Sequence, residues 1–307
     1  MRSNQKGSLI LLITAMVWGL AFVAQSTAAD QIGTFSFNLL RCLLAAGFML
    51  TAICLRDGWN KLKRKPKKQK PPVRDSLIAG AWCGGTLFAG MTFQQMGFAY
   101  YPPEAAASGR AGFLTAVYVV LLPIVRIFAG KRPGWLTACS AGICLIGMYL
   151  LCMGQGFSGI YLGDIFELLC AAGFTAYILA VDHFKAMDGL WLSMMQFLSA
   201  AALSAASMGL AGEKAEPSLW LSAWVPLLYV GIISGGVGYT MQIWGQKYAD
   251  PTVASVVMSL ESVFAALCGW LLLGEGMSLR EWLGCALVFS AVLLSQLPDK
   301  KPRPKKT

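Results

Sequence analysis

Apolar and polar positions along the chain are segregated into long blocks. Ten apolar runs, at residues 8–26, 34–55, 77–97, 103–123, 133–153, 161–181, 189–211, 224–246, 251–273 and 279–297, are separated by polar or Pro- and Gly-containing joints. At ~1.5 Å rise per residue, a helix of ~20 residues covers a hydrocarbon core of about 30 Å. Within lipid every backbone N–H and C=O must find its partner inside the segment, which a helix provides and an isolated strand does not. The pattern therefore predicts an all-α polytopic membrane protein with ten transmembrane helices. Only the joint at 56–76 is long, so no separate soluble domain is expected.

Composition agrees: 56% of the 307 residues are hydrophobic, 13% are charged, and the mean hydropathy is +0.59, outside the ordinary range of soluble domains. The net charge of +10 reflects topology rather than nucleic-acid binding, because the basic residues lie between hydrophobic spans. With both termini placed in the cytoplasm, the inner segments collect 21 of the 25 Lys and Arg residues, nine of them between Arg56 and Arg74 and five between Lys300 and Lys306. The outer loops carry Lys214 and Arg280, and Arg41 and Arg110 lie within spans. This is the asymmetry of the positive-inside rule. The basic loop is expected to anchor topology and to meet anionic lipid headgroups. Nine cysteines lie almost entirely in apolar runs with no CxxC pair, so neither a zinc site nor a disulfide framework is indicated. The first apolar run reads as an uncleaved helix.

A shift of 148 residues aligns GMTFQQMGFAYYPPEAA (90–106) with GYTMQIWGQKYADPTVA (238–254), with seven identical pairs: Gly90/Gly238, Thr92/Thr240, Gln94/Gln242, Gly97/Gly245, Tyr100/Tyr248, Pro103/Pro251 and Ala106/Ala254. The chain thus reads as two five-span halves, 1–153 and 154–299, followed by a basic tail at 300–307. Because five is odd, the second half enters the membrane from the opposite side, and the two form inverted repeats. In such proteins the site lies near the bilayer midplane between the repeats.

The stretch PTVASVVMSLESVFAALCGWLLLGEGMSLREWLGCALVFSAVLL (251–294) resembles the C-terminal signature of EamA-type transporters of the drug/metabolite transporter superfamily. WGLAF (18–22), RCLLAA (41–46) and YLGDIFELLCAAGFTAY (161–177) are similar to that family's first, second and sixth helices, in order. The resemblance covers nearly the whole chain and implies ten helices in two EamA-like halves. AAASGRAGFLTAVYVV (105–120) departs from the family pattern in its Ser-Gly-Arg placement.

Four ionisable residues fall well inside spans: Arg41, Arg110, Glu167 and Glu261. An intramembrane charge is costly unless paired, protonated or turned to water, so each is a candidate for the substrate-binding or coupling site. Arg110 and Glu261 follow the two copies of the duplicated joint, where a guanidinium could hold a carboxylate and Glu261 an amine or a coupling proton. Ion pairing among the four is the plainer alternative. Gln94, Gln242 and Gln25 could line the same path or join helices. His183 reads as a solvated loop residue.

The expected function is secondary transport of a small organic solute, an amino acid or related metabolite, with export by alternating access implied by the resemblance. The expected location is the cell (inner) membrane. No Walker A motif is present, and no nucleotide, metal or other cofactor is expected. A homodimer is left open. The alternatives are an intramembrane lipid-modifying enzyme and a non-transporting membrane partner. A topology experiment follows from the charge count: alkaline phosphatase fused at residue 213 is active outside the membrane, whereas a fusion after residue 306 is not. Activity at both places, or only at the latter, would overturn the assignment.

Overall fold

The computed structural model describes residues 3–29, 32–63, 71–102, 107–131, 133–153, 159–214, 216–273 and 276–297. Pro103 and Ala106 of the duplicated stretch, residues 64–70 of the basic loop, the Gly274-Glu275 pair and the tail lie outside the described residues.

All elements among the described residues are helical: α1 (Ser3–Ala29), α2 (Thr34–Leu62), α3 (Val73–Ala99), α4 (Ala107–Ala116), α5 (Tyr118–Phe128), α6 (Trp135–Cys152), α7 (Leu162–Phe184), α8 (Gly189–Leu210), α9 (Pro217–Ser222), α10 (Trp224–Leu228), α11 (Thr240–Gln246), α12 (Pro251–Met258), α13 (Leu260–Leu273) and α14 (Leu279–Ser295). A π-helical stretch, Tyr229–Tyr239, joins α10 to α11. Nine segments among the described residues are long and apolar enough to cross a membrane; α14, on the last apolar run, has 17 residues.

Helix ends follow local chemistry. Asp188 and Asp250 cap α8 and α12 by accepting from Trp191 N and Thr252 N, and Pro251 occupies the first turn of α12, where no N–H is needed. Ser278 and Glu281 form a reciprocal capping box at α14. Glu213, beyond the end of α8, accepts from Phe35 N at 3.1 Å and Ser36 N at 2.7 Å, which places a carboxylate on the orphan N–H groups that open α2. At the opposite end Arg56 of α2 donates to both oxygens of Asp188, each at 2.9 Å. The α2–α8 pair is therefore tied at both faces of the membrane.

Several boundaries differ from the expectation. The second span continues to Leu62, where the polar tail of the helix still makes its own backbone bonds. The fourth is interrupted at Val117 and then runs to Phe128 rather than ending at residue 123, because Pro123 is accommodated inside α5 at the loss of one backbone bond. The ninth is interrupted at Ser259, whose hydroxyl donates back to Val256 O at 2.7 Å. His183 lies in the last turn of α7 rather than in a loop, exposed and edge-on to Phe184 at 4.7 Å.

Between helices the contacts rest on small residues. Lipid tails give apolar helices no hydrophobic reason to associate, so close van der Waals approach matters most. Gly90 and Gly173 meet across α3 and α7: a Cβ on Gly173 would lie 2.7 Å from Gly90 N. A Cβ on Gly284 would lie 2.6 Å from Leu151 N and 2.7 Å from Gly147 O, where α14 crosses α6. Gly142, on the outer face of α6, meets nothing within 4 Å. Gly284→Leu is therefore expected to destabilise the protein by about 1–3 kcal/mol or more, as overpacking does. Gly142→Leu should be near neutral. Thermal unfolding of the two variants in detergent checks the contrast; equal effects would show that the α6–α14 crossing is not tight.

Candidate functional site

Tyr118 starts α5 directly after the interruption at Val117, and Glu261 is the second residue of α13, directly after the interruption at Ser259. Their side chains meet: the Tyr118 hydroxyl is in hydrogen-bonding relation to the Glu261 carboxylate. Both face a cavity between the helices that is also lined by Trp18, Phe22, Gln25, Arg41, Gln94, Phe174, Tyr177, Phe197, Ser234, Tyr239 and Gln242. Its empty volume, counted with the open space at its mouth, is about 660 Å³. That is room for several waters. Neither α6 nor α14 contributes a lining residue.

Arg41 supplies the positive charge. It is 5% exposed, donates from Nη1 to Gln25 Oε1 at 2.9 Å and from Nη2 to Met91 O at 3.5 Å, and stacks its guanidinium over Phe37 at 5.3 Å. Its Nε has no partner. Glu261 supplies a carboxyl group, and neither residue is in an ion pair among the described residues. Tyr239 interacts electrostatically with both. It is the hub of an aromatic wall, with ring centroids 4.8 Å from Trp18, 5.8 Å from Tyr177 and 5.6 Å from Phe197. The Trp18 indole donates to Ser234 O at 3.3 Å, a carbonyl in the π-helical stretch, where widened turns loosen the backbone ladder. The Gln242 side-chain oxygen is buried without a partner.

Of the expected residues, Arg41, Gln94, Gln242, Gln25 and Glu261 converge on this cavity, while Arg110 and Glu167 do not line it. Nor do the four charges pair as the plainer alternative supposes. Arg110 is held by Asp164, which accepts from its Nε at 2.9 Å and from its Nη2. Asp164 also accepts from the Tyr101 hydroxyl and Tyr161 N, each at 2.9 Å, while Arg110 Nη2 donates to Gly159 O at 2.8 Å. Burial, together with the hydrogen bond given to Asp164, pushes the Tyr101 hydroxyl above its ordinary range, so it stays a donor. Glu167, fully buried, accepts from Thr115 Oγ1 at 2.7 Å through Oε2.

Asp164 and the aromatic wall are what sequence reasoning missed. Asp164 stands in YLGDIFELL at the start of the sixth run, where an acid reads as an end residue rather than a partner. Tyr239 is aligned with Met91 by the 148-residue shift, and both line the cavity; following that shift one residue beyond each glycine would have found it.

Helices long and apolar enough to cross a membrane, packed around a cavity that holds a guanidinium and a carboxyl group, define a multi-pass membrane protein. Comparison with known proteins places it more closely. Residues 5–153 and 161–297 each match the EamA-like transporter family, and the chain belongs to that family. An uncharacterized transporter of Archaeoglobus fulgidus is 29% identical over 290 residues, covering 94% of this chain and 84% of the relative. The uncharacterized inner membrane transporter YicL of Salmonella typhimurium is 24% identical, covering 98% of each. The solute carrier family 35 member B1 homolog of Drosophila melanogaster is 25% identical, covering 76% of this chain and 72% of that protein. A solved protein structure shares the fold with a TM-score of 0.75 at 20% identity, covering 96% of this chain and 97% of its own.

The Arg110–Asp164 pair makes a stability prediction. Removing one partner of a buried pair leaves an uncompensated charge and costs about 3–5 kcal/mol. Asp164→Ala should lower the thermal midpoint in detergent strongly. The double variant Asp164→Ala, Arg110→Met should recover part of the loss. A double variant no better than Asp164→Ala would show that the pair does not act as a unit.

Proposed function

We propose that this membrane transporter is a secondary carrier that moves a small zwitterionic organic solute, an amino acid or a related metabolite, by alternating access between inverted repeats, in the direction of export. The observation that carries this reading is the cavity itself. It is lined by Arg41 and Glu261, which make no ion pair among the described residues, together with the rings of Trp18, Tyr177, Phe197 and Tyr239. A carboxylate fits the guanidinium, an amine fits the acid, and an apolar body fits the rings. The polar groups converge on an interior cavity rather than a rim groove, which favours a carrier over a lipid-modifying enzyme.

Internal symmetry of the packing supports the inverted-repeat part. α7 packs on α3 and on α4–α5, as α1 packs on the π-helical stretch, α11 and α12–α13; α6 packs on α14, and α2 on α8. The correspondence holds at residue level. Gly90 abuts Phe174 and Gly238 abuts Trp18; Gly97 abuts Glu167 and Gly245 abuts Leu11; Gly163 abuts Tyr101 and Gly7 abuts Ala249 N. In each case the third and eighth spans, with the joints after them, are related by 148 residues and the first and sixth by 156. The same shifts relate cavity-lining residues in pairs: Trp18/Phe174, Ala21/Tyr177, Phe22/Ile178, Met91/Tyr239 and Gln94/Gln242. A site lined by exchange-related residues lies where the repeats move against each other.

The same reading puts both termini in the cytoplasm and the tail of α2, with exposed Leu55, Trp59 and Leu62 beside Lys61 and Lys63, against anionic headgroups of the inner leaflet.

Proteoliposomes and a ¹⁴C-labelled mixture of L-amino acids test the function. Wild type should exchange label across the membrane. Glu261→Gln and Arg41→Gln should each reduce exchange by about 30-fold or more, the consequence of removing one charged partner at a buried contact. Wild-type vesicles that exchange none of the label, or both variants exchanging like wild type, would overturn the assignment.

A further inference from the structure

Glu167 lies outside the cavity and is not used in holding the solute. It is fully buried in α7, with Oε2 receiving the Thr115 hydroxyl at 2.7 Å and Oε1 without a partner. No Lys, Arg or His forms an ion pair with it among the described residues. Its side chain packs against Gly97 of α3 closely enough that a Cβ there would collide with the carboxyl. A buried carboxyl without a cation is held as a neutral acid or reaches a proton source. A hydroxyl can donate to a carboxylate and accept from a carboxylic acid. Thr115 therefore suits both protonation states.

Position adds a path. On α7, Asp164 lies one turn outward of Glu167 and Cys170 one turn inward, and Phe174, two turns inward, lines the cavity. The titratable groups around Glu167 are these two and Tyr101, beyond the end of α3; Arg110 of α4 is engaged by Asp164. The stripe thus runs from the outer polar cluster to the cavity, with Glu167 between them.

We propose that Glu167 is a proton-binding site separate from the solute cavity, reached from the outer side through the Tyr101–Asp164–Arg110 cluster. One carboxylate oxygen binds one proton and later releases it toward the cavity. Its consequence for transport rests on the carrier reading above: the proton moves inward as the solute moves outward, with Glu167 coupling and Glu261 binding.

Two measurements on the full-length protein test this. In nanodiscs near neutral pH, the protonated-carboxyl C=O absorption of the wild type should lose a component in Glu167→Gln that Glu261→Gln retains, and that component should shift within minutes in D₂O. An absorption unchanged in Glu167→Gln, no such absorption in wild type, or a Glu167-dependent component that does not shift would each overturn the proposal. In proteoliposomes with the labelled amino-acid mixture, Glu167→Gln should lose about tenfold or more of the accumulation driven by a proton gradient while keeping exchange within about twofold of wild type. Gradient-driven accumulation that survives in Glu167→Gln, or a parallel loss of exchange, would overturn the coupling role. If wild type moves no label at all, the carrier reading falls, and the infrared result alone decides whether Glu167 is a solvent-connected proton site.

Discussion

A guanidinium and a carboxylate in a protein interior attract by several kcal/mol at its effective dielectric, yet Arg41 and Glu261 line one cavity without an ion pair among the described residues. Here the separation is built from neutral partners. Arg41 is held by the Gln25 amide, the Met91 carbonyl and the Phe37 ring; Glu261 is met by the Tyr118 hydroxyl. Arg41 keeps donor capacity beyond these bonds, its unpartnered Nε included. Tyr239 interacts electrostatically with both Arg41 and Glu261.

Holding the two groups in place requires a rigid frame, and the frame comes from close helix approach at glycines. α1 and α7 are each pressed on a spanning partner by a glycine, Gly238 under Trp18 and Gly90 under Phe174. Both rings then project into the cavity. The frame is not uniform. α3 is a continuous α-helix, whereas its counterpart passes through the π-helical stretch at Tyr229–Tyr239. Gly84 packs on Gln196 O and Ser199 as Gly231 packs on Arg41 O and Leu44, a shift of 147 residues, while Gly90 and Gly238 are 148 apart. The π turns take up the one extra residue, and Ser234, within them, presents its carbonyl to Trp18.

Much of this was legible in the chain. The apolar runs located the helices because the bilayer leaves the backbone so few options. The 148-residue shift located Gln94 and Gln242, and the rarity of charge inside a span located Arg41 and Glu261. What could not be read was which charge meets which partner. That depends on how α4 and α7 cross, and a one-dimensional pattern carries no crossing angle. The interruptions at Val117 and Ser259 were equally hidden, because valine and serine are both tolerated in helices.

Arg110 shows why the repeat alone misleads about the site. Its counterpart by the 148-residue shift is Met258, which does line the cavity, so placing Arg110 there follows from the symmetry. The counterpart of Glu261 is Phe113, again without charge. Duplication reproduces the backbone and its packing glycines, whereas the ionisable groups occur once each. Asp164 corresponds to Ser8 in the first span, so the acid that captures Arg110 has no mirror image either. A singly placed pair at one end of the bundle and a singly placed acid in the cavity make the two halves chemically unequal.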